Sequence, residues 1–324
     1  MLLTPLDPGS EQVRIEKSKD AGGPESVTHV ILTRFNLATA GREAVIRNQP
    51  NWLEGRFDLF DKYCLPSVAA QTNQNFQWMV FFDTNTPKQF VSRIEKAQGV
   101  RHFHAYYTDL FDSSGWRTSI NRVLGAPATP ALLTSILDSD DSLCGDYVET
   151  LQQAARDHLA KTHGDDLPRA LNFTNGYVLS NGRLYAHRHT CNAFVNWLER
   201  YDPSARTAGD INHIEDIPKF GNAIQIDRPG AWLQVVHGGN VSNRIRGRLS
   251  RQADVQGLFP ASAIADVSTP AWTEMVSDTL LRAPVTNARD SLGSVLRKTG
   301  LVDRFQESIR AVEDALSLRR TRRP

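Results

Sequence analysis

The sequence predicts an α/β fold in which a mostly parallel, Rossmann-like sheet is flanked by helices, and three observations carry that prediction. Strand-like apolar runs alternate with helix-like segments from Thr28 to about Glu199, the pattern left by parallel strands joined through crossover helices. Phe76 to Phe82 is almost continuously apolar and aromatic, as expected of a strand covered on both faces. The apolar run from Ala131 to Leu137 ends abruptly in Asp138, Ser139, Asp140 and Asp141, and open α/β sheets bind their ligands outside the carboxyl ends of the strands.

His29 to Phe35 reads as the first strand. Trp52 to Gln71 is helical in pattern, with Trp52, Leu53, Phe57, Phe60 and Tyr63 on one side and Pro66 as an interruption. After the strand Phe76 to Phe82, Thr86 and Pro87 supply an N-cap and first-position pair for a helix to about Gln98. Val100 to Tyr106 is read as the third strand, Trp116 to Leu124 as a short helix and Ala131 to Leu137 as the fourth strand. Gly145 to His163 carries Tyr147, Val148, Leu151, Ala155 and Leu159 at helical spacing. Ala170 to Phe173 and the pair Tyr177 to Leu179 and Arg183 to Ala186 look like strands, the last two joined by Asn181 and Gly182, a type I′ hairpin dipeptide. Cys191 to Tyr201 is read as a helix. A polar stretch to Gly221, a strand from Ala223 to Ile226 and the Trp232 to Asn240 segment follow, with further helices from about Trp272.

The 324 residues suit one large unit with appendages: a leader over 1–27, a main domain over 28–243 and a helical extension with a basic tail over 244–324. Apolar residues make up 40% and charged residues 23%, enough to bury a substantial core. The net charge of +1 hides an asymmetry, because residues 244–324 carry 14 Arg and Lys against 9 Asp and Glu. In the last expected helix Leu301, Phe305, Ile309, Val312 and Leu316 form a stripe, and four arginines, Arg319, Arg320, Arg322 and Arg323, close the chain. That combination suits either packing on the main domain or peripheral docking on anionic lipid. Three cysteines without metal-ligand spacing, no signal-like h-region and no membrane-length apolar run point to the cytoplasm, the inner face of the membrane included. A nucleic-acid partner is not expected.

The acidic cluster carries the chemistry. Carboxylates so close repel one another unless a cation or several donors compensate, so Mg²⁺ or Mn²⁺ beside a diphosphate is the economical explanation. Asp138 and Asp140 would share a side if strand geometry persisted past Leu137. An acidic cap for the following helix is the competing explanation.

Thr33, Arg34, Phe35 and Asn36, then Trp52, Leu53, Arg56, Leu59, Phe60, Tyr63 to Ser67 and Gln71, together resemble the GT-A-type glycosyltransferases described as putative rhamnosyltransferases. Phe76, Trp78, Asp83, Leu137 to Asp141, Asn172, Phe173, Asn175, Gly176 and Trp232 to Asn243 extend the resemblance over about two-thirds of the chain. It implies a UDP-, dTDP- or GDP-sugar donor, a glycan or lipid-linked acceptor, a divalent metal and inverting transfer. Asp138 would then approach the ribose or donor sugar, and Asp140 would ligate the metal with Asp138 and with His237, the late histidine of Val235 to Asn240. Asp141 would be a third acidic contact, and Gly238 and Gly239 would let backbone approach the diphosphate. Asp83 matches a nucleobase or ribose carboxylate.

Arg34 suits a phosphate, with Arg117 a further cation, although Arg34 and Asp83 could also form a mutual salt bridge. For the base that takes the acceptor proton, Asp216, the first choice, and Glu215 resemble the Glu-Asp pair of inverting enzymes, with Asp210 and His213 as alternatives; for any one of them an exposed loop charge is the stronger competing explanation. Paired aspartates after a strand also serve metal-dependent phosphohydrolases, and the fold can host a non-catalytic carbohydrate-binding protein.

Overall fold

The computed structural model describes residues 26–37, 46–47, 49–109, 115–125, 129–202, 206–221, 223–238 and 245–282. The expected leader, Gly239 and the Leu301 to Arg323 stripe and tail lie outside these residues. The strands are β1 (Val27–Arg34), β2 (Gln77–Asp83), β3 (His104–Thr108), β4 (Ala131–Ile136), β5 (Ser142–Leu143), β6 (Arg169–Phe173), β7 (Asn175–Ser180), β8 (Arg183–Arg188), β9 (Asn196–Arg200), β10 (Ile224–Ile226), β11 (Trp232–Val236) and β12 (Arg248–Ser250). The helices are α1 (Trp52–Leu59), α2 (Leu65–Ala69), α3 (Val91–Val100), α4 (Gly115–Leu124), α5 (Tyr147–Thr162), α6 (Ala261–Ile264) and α7 (Trp272–Ser277).

The main sheet runs β10-β6-β9-β4-β1-β2-β3, with all strands parallel except β9. The chain winds outward from β1 through β2 to β3 and then returns to place β4 on the other side of β1. The strand order therefore reverses between β1 and β4, and a crevice at the carboxyl ends of those two strands is where such a sheet binds its ligand. A second sheet, β12-β8-β7-β11-β5, packs into the same core through Trp232, Val178 and Leu184. Asn181 and Gly182 both have positive φ, 48° and 72°, as the expected hairpin between β7 and β8 requires.

Buried rings fill the space under α1. Phe35 lies 4.5 Å from Phe57, and Phe57 stacks on Phe90 at 5.1 Å. Between α1 and α2 the backbone widens into a π-type turn, Phe60–Cys64. The extra residue per turn re-phases the apolar stripe, so that Phe60, Tyr63, Cys64, Leu65 and Val68 all stay buried. Pro66 sits in the first turn of α2, where its missing N–H costs nothing.

Several expected elements move. The Cys191 to Tyr201 segment contributes β9 rather than a helix: Phe194 to Leu198 are all buried, and Asn196 is held by Tyr147 and the Leu171 carbonyl. A short apolar run suits a central strand as well as a helix, and tertiary pairing with β4 and β6 decides it here. Val100 ends α3, so the third strand begins only at His104. The Thr86 hydroxyl donates to the Asp83 carbonyl at 2.6 Å instead of capping α3. The core also passes the expected boundary at 243, since β12 pairs with β8, and Val255, Phe259, Ala263, Ile264 and Val267 belong to the main cluster. No helix among the described residues is long and apolar enough to cross a membrane.

Candidate active site

The acidic cluster leaves strand geometry as soon as β4 ends. Residues 139 and 140 form a tight turn in which the Asp141 amide donates to the Asp138 carbonyl at 3.2 Å. Side-chain alternation therefore stops, and the three carboxylates take three different directions.

Asp138 is half-exposed and faces Arg34 at the end of β1, with 3.7 Å between carboxylate and guanidinium. Asp140 is buried, and its Oδ2 lies 2.8 Å from His237 Nε2 and 3.0 Å from Arg56 Nη1. Burial alone would raise the Asp140 pKa, but the hydrogen bond from His237 and the charge of Arg56 outweigh it and hold the carboxyl below its usual range. Asp141 turns inward, where its Oδ1 accepts the Val235 amide at 2.8 Å. Burial, reinforced by the charges of Asp140 and Asp138, pushes its pKa well up. Asp141 thus ties the turn to β11, which corrects the expectation that it contacts the donor.

His237 reaches Asp140 through strand pairing. β5 runs antiparallel to β11 with Leu233 opposite Ser142, so the residues preceding β5 meet those ending β11. Asp140 and His237 converge as expected, whereas Asp138 is engaged by Arg34 rather than joining them. Among the described residues no third His, Cys, Asp or Glu completes a metal cluster. A carboxylate plus an imidazole is nonetheless an adequate protein share for Mg²⁺ or Mn²⁺ when diphosphate oxygens and water fill the remaining positions. Among the described residues a Cβ built on Gly238 would meet nothing within 4 Å, so their packing leaves the backbone here open.

A polar cavity of about 390 Å³, lined among others by Arg47, Trp52, Asp83, Asn85 and Phe90, opens beyond the end of β2. Asp83 is buried there, accepting Arg47 Nη1 and the Asn85 amide at 2.7 Å each. Its own amide donates to Asn36 Oδ1 at 3.1 Å. Of the two alternatives for Arg34 and Asp83, a mutual ion pair is not formed: Arg34 takes Asp138 and Asp83 takes Arg47.

The remaining candidates lie elsewhere. Arg117 is buried in an ion pair with Glu199 of β9 and also donates to the Arg206 carbonyl, so it is a structural cation and not a phosphate ligand. Asp210 caps its own turn by accepting the Thr207 amide and hydroxyl at 2.7 and 2.8 Å, and burial raises its pKa. Asp216 pairs with Arg206 and Lys219 at 3.1 and 3.0 Å. The Asn212 amide and the Lys219 contact lower its pKa, the opposite of what a proton acceptor needs. His213 is partly buried, and burial holds its pKa at about 4. Glu215 is exposed on the same turn. Arg56 and Arg47, which contact the two buried carboxylates of the site, have no motif spacing that distinguishes them from surface helix charges.

The sequence profile of the family described as "putative rhamnosyl transferase" matches residues 28–249. The chain belongs to that family. The expected fold class agrees with its mostly parallel sheet and flanking helices. The family match takes in both sheets, the acidic turn and His237. Similar solved structures include S. aureus TarS 1-349 in complex with UDP, at 14% identity and TM-score 0.38, covering 65% of this chain and 61% of that one. A protein of Desulfovibrio desulfuricans G20 described as "putative nucleotide-diphospho-sugar transferase" is similar at 9% identity and TM-score 0.32, covering 63% and 81%. The chain thus spans about three-fifths of the TarS fragment. No curated protein matches it.

Proposed function

We propose that this protein is a glycosyltransferase that moves a rhamnosyl group from a nucleoside-diphosphate donor to a hydroxyl of a glycan or lipid-linked acceptor, with inversion and with Mg²⁺ or Mn²⁺ bound. The single observation that carries this reading is the convergence of Asp140 and His237 at the β1–β4 crevice, beside the Asp83 cavity. The family description supports the sugar. The cavity has the size and the polar walls for a nucleoside, with Asp83 and Asn36 as its hydrogen-bonding groups and Trp52 as an aromatic wall.

In this reading Asp140 and His237 hold the ion, which when bound neutralises the charge gathering on the leaving diphosphate. Asp138, set by Arg34, faces the donor sugar or ribose. The acceptor oxygen attacks the anomeric carbon as the bond from that carbon to the diphosphate oxygen breaks, and the hydroxyl proton passes to a base. Among the expected bases we favour Glu215, because its carboxylate is exposed while Asp210 and Asp216 are engaged locally.

The test is transfer from dTDP-, UDP- and GDP-linked sugars, rhamnose included, to a panel of glycan acceptors with Mn²⁺, with the anomeric configuration of the product read by NMR. Asp140→Asn should lower kcat by about 10²–10³-fold, the scale of losing one electrostatic stabiliser at the reacting centre. Full activity in chelator, together with a near-wild-type rate for that variant, would refute the metal reading. Hydrolysis of simple phosphomonoesters in place of sugar transfer would favour the phosphohydrolase alternative.

A further inference from the structure

Arg56 is placed where a cation is needed twice. Its Nη1 lies 3.0 Å from Asp140 Oδ2, the oxygen that also meets His237. Its Nε is buried with no hydrogen-bond partner among the described residues. One helical turn earlier on α1, Trp52 lines the Asp83 cavity, and the Arg56 guanidinium sits 5.5 Å from the Trp52 ring. Arg56 therefore stands between the cavity and the acidic turn, and any diphosphate linking a nucleoside in the one to a sugar at the other must pass it. Ser139, between Asp138 and Asp140, adds a second buried polar atom, its hydroxyl, without a partner among the described residues.

We propose that Arg56 is an exchanging cation. In the free protein its guanidinium neutralises Asp140. When a divalent ion takes over that carboxylate, Arg56 is released to hydrogen-bond the diphosphate of the donor. This inference rests on the proposed function and adds a donor-binding residue to it. The charges account for the exchange. A dipositive ion displaces a monopositive guanidinium from a buried monoanion, and the dianionic diphosphate that arrives with the ion gives the guanidinium a new partner. A planar fork of donors suits phosphate oxygens as well as a carboxylate, so Arg56 loses no pairing in the exchange.

Because Arg56 competes with the ion and cooperates with the diphosphate, its removal must move the two affinities in opposite directions. The experiment uses the full chain as wild type, Arg56→Gln and Arg56→Lys. Binding of Mn²⁺ alone is read from the paramagnetic resonance signal of free ion, and binding of UDP, dTDP and GDP at saturating Mn²⁺ is read by calorimetry. Arg56→Gln should bind Mn²⁺ alone more tightly than wild type. It should also lose about 10- to 100-fold in affinity for the diphosphate that wild type binds best, the scale of a hydrogen bond between charged groups. Arg56→Lys should recover part of that loss and bring Mn²⁺ affinity back toward wild type.

A purely structural Arg56 would weaken both affinities together in Arg56→Gln, and that result overturns the proposal, as does an unchanged diphosphate affinity. If wild type binds neither Mn²⁺ nor any of the three diphosphates, the proposed function falls and this inference with it. If wild type binds both and the variant shows no opposite shift, only the exchange is refuted. Should Arg56→Gln not fold, the Lys variant decides: a compact monocation that keeps Mn²⁺ binding weak but loses diphosphate affinity supports the exchange, and unchanged diphosphate affinity overturns it.

Discussion

Replacing His29 with Gln should flatten the acid limb of the stability profile. His29 is fully buried in β1, where its Nε2 lies 2.9 Å from Ser135 Oγ and its Nδ1 lies 3.4 Å from Gln152 Nε2. Ser135 donates its own proton to Asn196 Oδ1 at 2.7 Å, so it accepts from His29 and fixes a neutral imidazole protonated at Nε2. Burial lowers the His29 pKa from 6.5 to about 3. A group whose folded pKa is depressed contributes stability that is present above the unfolded value and is lost as pH falls toward the folded one, because the unfolded chain takes up the proton first. The window therefore runs from about pH 6.5 down to about pH 3. At 1.36 kcal/mol per pKa unit, the His29 contribution lost between pH 7 and pH 5 is about 2 kcal/mol.

The assay is urea unfolding of wild type and His29→Gln at pH 7 and pH 5. Because burial also lowers His104 and His213 to about 4, both proteins should lose stability on acidification. The difference between their losses isolates His29. Equal losses in the two proteins would refute the argument, since the imidazole would then have to be protonated, or free to become so, inside the fold.

Gly238→Ala should leave stability within about 0.5 kcal/mol of wild type, because the added methyl meets no atom of the other described residues within 4 Å. In the proposed reading it should weaken diphosphate binding in a calorimetric titration. Gly176→Ala is the opposite case: its Cβ would stand 2.1 Å from the Trp232 ring, so thermal unfolding should show a loss of about 3 kcal/mol or more, beyond ordinary overpacking. Arg117→Leu strands Glu199 in the core and should cost about 3–5 kcal/mol in urea unfolding, while the folded fraction keeps its affinity for nucleoside diphosphates. A stable variant that loses nucleotide binding would restore Arg117 to the donor site.

The parts of the fold legible in the sequence were those where one local rule dominates. The apolar run ending in Asp83, the Asn181–Gly182 hairpin and the strand leading into the acidic turn follow from burial and turn chemistry alone. β9 is illegible because its five residues, with Trp197 and Leu198 set between Asn196 and Glu199, are too few to favour either period, and only pairing with β4 and β6 decides. At the site, Asp140 and His237 come together as the sequence leads one to expect, whereas Asp138 and Asp141 turn elsewhere, because strand alternation does not continue past the end of β4 into the turn. Arg56 enters the sequence reading only through the family resemblance and Arg47 not at all, because a helical arginine has no spacing signature. Their importance comes from buried carboxylates contributed by distant strands. For the same reason Arg117 looked like a ligand although β9 supplies its partner.

The two-residue strand β5 has a consequence out of proportion to its length. Sliding Ser142 by one position against Leu233 would bring either Asp141 or Ser139, depending on the direction, to the place where Asp140 now meets the imidazole, and in both cases would take Asp141 off the Val235 amide. Insertions or deletions between the turn and β5 should therefore dismantle the pair and its anchor together. Counting residues in that link is a better guide to which homologous chains keep the same ligand pair than matching the aspartates alone.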